Sequence, residues 1–164
     1  MIHGTAHVHY TATVGKGTDI WAYSQVGPGS TIGENCVIGR NVEIGPNVVI
    51  GDNCKIQSNS LIYEGVTIGN REFVWPNTVT TNDIDPQALG SWSQRFRETI
   101  IEDDVAIGAG CVIICGITLG RGCRIGAGSV VTKSIDPWWR AYGNPARQQS
   151  QLPEQSNKEA DNGH

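Results

Sequence analysis

The sequence predicts an all-β chain, a parallel β-helix of six-residue repeats with one extended loop and a short C-terminal cap. Three observations carry this. An aliphatic residue recurs at every sixth position, from Ile2, Val8, Val14 and Ile20 to Ile68 and Val74, and again from Ile101, Ile107 and Ile113 to Leu119, Ile125 and Val131. The fourth place of the hexad is held by Gly or Asn, as at Gly17, Asn35, Asn41, Asn47, Asn53, Asn59, Gly65 and Asn77, and later at Gly110, Gly116, Gly122 and Gly128. Between Thr80 and Ile101 the rhythm stops and resumes out of phase. An α-helix needs apolar spacings of three and four and an ordinary sheet a spacing of two. A period of six instead describes stacked coils, three hexads to a coil.

The boundaries follow from the rhythm. Residues 1–136 form the β-helix, with an inserted loop at 81–100; 137–147 form the cap; 148–164, polar and without period, are expected to be a disordered tail. In the first run each hexad gives a short strand that stacks on the strand one coil away at about 4.8 Å. Gly and Asn tolerate positive φ cheaply, so a corner is written into every fourth place. After the loop, Ile101 to Asp136 supplies two further coils. Pro137 ends the rhythm, and Trp138, Trp139 and Tyr142 are expected to cover the open end of the stack, which would otherwise be an aggregation edge.

Composition narrows the function. One domain of 164 residues and 17.6 kDa is large enough for a core. No apolar run of about 18 residues predicts a membrane span, and no charged-then-apolar leader follows Met1, so the expectation is a cytoplasmic protein. A net charge of -4 and a pI near 5.5 argue against nucleic acid. Yet Arg95, Arg97, Arg121, Arg124, Lys133, Arg140 and Arg147 cluster towards the C-terminal end, leaving room for a small polyanion. Cys36, Cys54, Cys111 and Cys123 occupy the fifth place of their hexads, which elsewhere takes residues such as Ala, Ser, Thr, Val or Ile. They have no CxxC spacing and are expected to be packed thiols of a reducing compartment.

Positions three hexads apart share a corner of successive coils, which turns the sequence into a map. Glu64 and Asn82 are so related, if Asn82 keeps the N-terminal register. Gly108-Ala109-Gly110 stacks beneath Gly126-Ala127-Gly128, a smooth strip with exposed backbone N–H groups that suits a long thin ligand. The excursion, about 20 residues without secondary structure, has a length that is usually functional or disordered. It carries Trp92, Phe96, Asp83, Arg95 and Arg97. The histidines are confined to His3, His7, His9 and His164, so no middle-coil histidine set exists for a zinc site and none is expected to bind metal.

The runs F-V-W-P-N-T-V-T-T-N-D-I-D-P, A-I-G-A-G-C-V-I, I-G-A-G-S-V-V-T-K-S-I and G-N-P-A-R resemble the hexapeptide-repeat acyltransferases over residues 2–147. More narrowly they are similar to the N-acetyltransferases of 3-amino nucleotide sugars. The resemblance implies a left-handed coil and a homotrimer with sites between subunits. It also implies acetyl-CoA as co-substrate and a nucleotide-linked amino sugar as acceptor, in bacterial surface polysaccharide and lipopolysaccharide biosynthesis. Carried over by position, Asn82 and Glu64 are the catalytic candidates; Asp83, Arg95 and Arg97 meet the acceptor. Gly108, Ala109, Gly126 and Ala127 line the cofactor groove, with Lys133, Asn144 and Arg147 near the CoA phosphates. Trp75 stands where the family commonly has Gly, and Cys115-Gly116-Ile117 replaces P-G-V.

Acyl transfer to an amine needs a positioned amine, a stabilised oxyanion and a proton acceptor. Glu64 or Asn82 would supply orientation, a backbone N–H of the Gly108 strip would face the oxyanion, and the departing thiolate would take the proton. The rivals are a hexapeptide acetyltransferase for another small amine or hydroxyl, whose relatives generally use a central histidine, and a β-helix scaffold without catalysis. The scaffold needs neither the excursion nor the cationic C-terminal third.

Overall fold

The computed structural model describes residues 1–90 and 95–154. Among them lie strands β1 to β21, numbered in chain order, of which all but the last two are only two or three residues long. They form three faces, parallel throughout except for the final β20–β21 pair. The first face holds β1 (His7–Val8), β4 (Gln25–Val26), β7 (Glu43–Ile44), β10 (Leu61–Ile62), β13 (Val79–Thr80), β16 (Val112–Ile113) and β19 (Val130–Val131). The second holds β2 (Thr13–Val14), β5 (Thr31–Ile32), β8 (Val49–Ile50), β11 (Val66–Ile68), β14 (Thr99–Ile101) and β17 (Thr118–Leu119). The third begins with β3 (Asp19–Ile20), β6 (Val37–Ile38), β9 (Lys55–Ile56) and β12 (Phe73–Val74). It continues through β15 (Ala106–Ile107) and β18 (Arg124–Ile125), and ends with β20 (Trp139–Gly143) and β21 (Ala146–Gln151). The chain visits the faces in that order, coil after coil, as a β-solenoid that matches a left-handed β-helix.

The aliphatic rhythm is the core. Ile20, Ile32, Ile38, Ile44, Ile50, Ile56, Ile62, Ile68, Ile101, Ile107, Ile113 and Leu119 are all fully buried. Each such side chain contributes about 1.5–3 kcal/mol relative to exposure. Every Gly and Asn expected to turn a corner has positive φ, from Gly17 (77°) through Asn35 (55°) to Gly128 (70°). The same place is also filled at positive φ by Asp104, and by Tyr23 and Arg71, showing that the stack imposes the corner even on the last two, which resist it.

The fifth place proves to be a hydrogen-bonding column. Ser24 Oγ donates to Gly39 O at 2.6 Å and accepts from Val42 N at 3.1 Å. Ser30 and Thr18 repeat this, and the free, buried thiols of Cys36 and Cys54 donate to Gly51 O and Gly69 O at 3.1 Å. The rule that this place takes small residues fails once. Glu72 stands there with 1% exposure, Oε1 accepting from Val105 N at 3.1 Å and Oε2 without a partner among the described residues. Burial pushes its pKa up to about 9, so the carboxyl is neutral near pH 7.

The excursion is an insertion into one coil. Ile50 pairs with Ile68, three hexads on, whereas Ile68 pairs with Ile101, so the coil between these two is longer by two and a half hexads. The loop ends before Thr99, because Thr99 and Ile100 already belong to β14; the expected boundary at 100 is two residues too late. Trp92 lies outside the described residues.

At the C-terminal end Trp138 lies where a side chain at Gly122 would be, and Trp139 packs against the core. Tyr142 instead is half exposed and lies over Gly126, so it covers a corner and not the core. The cap is longer than 137–147: β20 and β21 form an antiparallel hairpin through the cis Asn144–Pro145 bond, and residues 148–151, expected to be disordered, are strand. Residues 155–164 lie outside the described residues.

Candidate functional site

Two corners of the prism carry the candidate residues. The first corner follows the first face, and its third places read Tyr10, Pro28, Pro46, Glu64, Asn82, Cys115 and Lys133. Glu64 and Asn82 are therefore stacked as expected, since Leu61 pairs with Val79 and Tyr63 N donates to Thr80 Oγ1 at 2.9 Å. The side chain of Glu64 turns to the preceding coil, where Oε1 accepts from Asn47 Nδ2 at 3.1 Å. The half-buried Asn82 side chain has no hydrogen-bond partner among the described residues.

The excursion leaves and re-enters at this corner. Arg97 N donates to Asn82 O at 3.0 Å, Asp83 and Phe96 form an antiparallel bridge, and Thr99 N donates to Gly65 O at 2.9 Å. Arg95 Nε meets Asp83 Oδ2 at 2.9 Å, and Asp83 Oδ1 accepts from Asp85 N at 2.9 Å. Burial pushes the Asp83 carboxyl up, but the Asp85 amide and Arg95 outweigh it and hold the pKa below the usual carboxylate range. Asp83 and Arg95 thus brace the loop against itself. Arg97 is exposed, with its Cβ lying 3.3 Å from where a side chain at Gly116 would begin.

Beside this corner runs a groove of about 470 Å³ lined by Asn47, Glu64, Gly65, Phe96, Glu98 and Ile100 among others. Asn47, Phe96 and Glu98 were not among the expected site residues. Asn47 was readable from the register, one fourth place above Gly65. Glu98 was not, because its place depends on how the inserted residues divide between loop and coil.

The second cluster is on the corner that follows the third face. Gly108 lies tightly over the next coil: a Cβ there would be 2.5 Å from Ala127 N and 2.7 Å from Ala127 Cα. The expectation that the glycine amides of this strip are exposed is wrong. Gly108 N donates to Ile125 O, Gly110 N to Pro76 O, Gly126 N to Ala141 O and Gly128 N to Ala109 O, all at 2.8–2.9 Å. Such bonds between coils hold the stack together and leave these amides nothing to offer an oxyanion.

Within this strip the open donors are the amides of Ala109 and Ala127. At four other third places the amide is satisfied by the third-place side chain one coil on: Glu34 N by Asp52, Asp52 N by Asn70, Asn70 N by Asp103 and Arg40 N by Ser58; Ala22 N and Ser58 N, on the same corner as Ala109, have no partner among the described residues. Ala109 faces Ala127, which has no acceptor, and neither alanine amide has a partner among the described residues. Pro76, one coil above, has no N–H at all. This yields a short, nearly side-chain-free trough with two stacked donors at its centre.

Among the remaining expected residues, Asn144 and Arg147 are exposed on the hairpin below Ala127, Arg147 donating to Ala146 O at 2.9 Å. Lys133, grouped with them from sequence, instead stands on the first corner, one coil below Cys115 and one face away from the trough.

Residues 98–133 match the family model of the hexapeptide repeat of succinyl-transferase. Residues 22–94 match the model of the GMPPB C-terminal domain. The chain is 30% identical over 101 residues to galactoside O-acetyltransferase of Lactococcus lactis, covering 60% of this chain and 49% of the relative. Over 54 residues it is 46% identical to dTDP-3-amino-3,6-dideoxy-alpha-D-galactopyranose 3-N-acetyltransferase of Aneurinibacillus thermoaerophilus, covering 33% of this chain and 28% of the relative. The chain thus spans half or less of these relatives' own lengths. In structure it is similar to AntD, an N-acyltransferase from Bacillus cereus solved with dTDP-4-amino-4,6-dideoxyglucose and coenzyme A. The TM-score is 0.60 at 21% identity, covering 92% of this chain and 83% of AntD, a likeness of fold.

Proposed function

We propose that this chain is an acetyl-CoA-dependent N-acetyltransferase whose acceptor is an amino sugar carried on a nucleotide, a 3-amino sugar in first place. The observation that carries the proposal is the pair of open, stacked amides of Ala109 and Ala127 in a trough free of side chains. Such donors suit the amide carbonyls of a pantetheine arm. Named acetyltransferases among the relatives, one of them for a dTDP-3-amino sugar, support the same chemistry.

The trough and Asn82 stand on different corners of one prism. We take the working unit to be a homotrimer in which the Asn82 corner of one copy faces the trough of the next. In that arrangement the acceptor enters along the groove beside Glu64, Glu98 and Phe96, where carboxylates accept hydrogen bonds from a neutral amine and the ring offers a sugar an apolar wall. Asn82 and Glu64 then orient the amine. Its lone pair attacks the thioester carbonyl, a C–N bond forms, the C–S bond breaks, and the thiolate, with an ordinary thiol pKa near about 8.5, takes the amine proton. Ala109 or Ala127 N–H replaces the Gly108 strip as the backbone donor to the carbonyl oxygen. We place the reaction in the cytoplasm, the compartment that holds both nucleotide sugars and CoA, and in the supply of surface polysaccharide.

A panel of amino nucleotide sugars with acetyl-CoA, read by release of free thiol, tests it. A 3-amino sugar nucleotide should give the highest turnover. Turnover of a galactoside hydroxyl instead would favour O-acetylation, and failure to bind CoA resin would leave only a scaffold.

A further inference from the structure

We propose that Trp75 is the stop that limits the length of the acyl group, an inference that rests on the acetyl-CoA proposal above. Along the trough corner the second places read Trp21, Gly39, Gln57, Trp75, Gly108, Gly126 and Tyr142. The registers Val74↔Ile107 and Ile125↔Ala141 set Trp75 directly above Gly108 and Tyr142 directly below Gly126. The trough is therefore two coils long and closed at each end by an aromatic residue. Both side chains are about half exposed, 51% for Trp75 and 49% for Tyr142, so they stand out from the edge of the prism.

The two ends differ chemically. Arg140 and Arg147 lie on the hairpin beside Tyr142, which makes that end the place for phosphates. The other end lies on the same coil as Asn82, which takes the corner next after Pro76-Asn77, and so at the height where the thioester meets the amine. An acyl chain lying along the trough past Ala109 runs into Pro76 and Trp75. The indole is held in place by Phe73, ring centroids 5.3 Å apart, and Trp75 N is fixed to Ile107 O at 2.9 Å. An acetyl group fits below this wall; longer chains meet it.

The test compares acetyl-, butyryl- and hexanoyl-CoA as donors for wild type, Trp75→Ala and Trp75→Leu, with thermal unfolding to establish folding. The readout is the ratio of kcat/KM for butyryl-CoA to that for acetyl-CoA. Each methylene in an apolar pocket is worth roughly 10–200-fold, so the ratio should rise at least about tenfold in Trp75→Ala and less in Trp75→Leu. A folded Trp75→Ala or Trp75→Leu protein with the wild-type ratio overturns the stop while leaving the acetyltransferase proposal standing. A wild-type protein that binds no CoA overturns both.

Discussion

Gly108 and Ala127 are stacked so closely that a methyl group on Gly108 would come within 2.5 Å of the Ala127 nitrogen, one of the two open donors of the trough. Gly108→Ala should therefore act twice. Overpacking of this kind costs about 1–3 kcal/mol, visible as a lower Tm, and the methyl covers the donor. The Kd for CoA, measured by calorimetry, should rise at least about tenfold. An unchanged Kd would remove the Ala127 amide from the cofactor site.

Asn82→Ala should lower kcat by about a hundredfold or more while the Kd for CoA stays within about twofold, because Asn82 stands on a different corner from the trough and acts by orientation. Full turnover would exclude it from the reaction. Glu64→Gln separates two roles of its carboxylate: a loss below about tenfold marks orientation, and a loss of about a hundredfold or more marks proton abstraction.

Arg95→Ala removes the 2.9 Å ion pair that braces Asp83. The expected outcome is a higher KM for the acceptor with little change for acetyl-CoA. Below the depressed Asp83 pKa the same brace is lost in wild type, so acceptor KM should also rise at strongly acidic pH and Arg95→Ala should be insensitive to it.

Glu72 should make stability depend on pH. Its folded pKa, about 9, exceeds its ordinary 4.5, so the folded state holds the proton more tightly. Stability is fully present below about pH 4.5 and is lost as pH rises towards about 9, by up to about 1.4 kcal/mol per pH unit. Glu72→Gln keeps an oxygen for Val105 N–H but does not titrate. Its denaturation midpoint should stay flat over that window; a wild-type midpoint equally flat would contradict the assignment.

Most of the fold was legible because a six-residue clock leaves little freedom. Ile20 to Leu119 could be placed in the core, and the Gly and Asn corners turned, from spacing alone. The same clock put Glu64 with Asn82 and Ala109 with Ala127. It did not show which amides the neighbouring coil consumes, which is why the Gly108 donor was expected and the alanine donors were not singled out. Lys133 was separable from the trough by the same clock, one hexad after Ala127; only its place below Asn82 depends on the insertion whose partition the Ile68↔Ile101 register reveals. Glu72 broke the pattern silently, as nothing in a hexad count forbids a carboxyl in the inward column.

The coil that bears the excursion is closed across its base by the bonds from Arg97 N to Asn82 O and from Thr99 N to Gly65 O. Among the described residues, the chain beyond that clasp takes no part in the winding. Lengthening a loop is cheap, about 0.6 kcal/mol per doubling, so under the proposed function the stretch between Asp83 and Arg95 is free to be rewritten for new acceptors while the coils that carry the Ala109–Ala127 trough keep their winding.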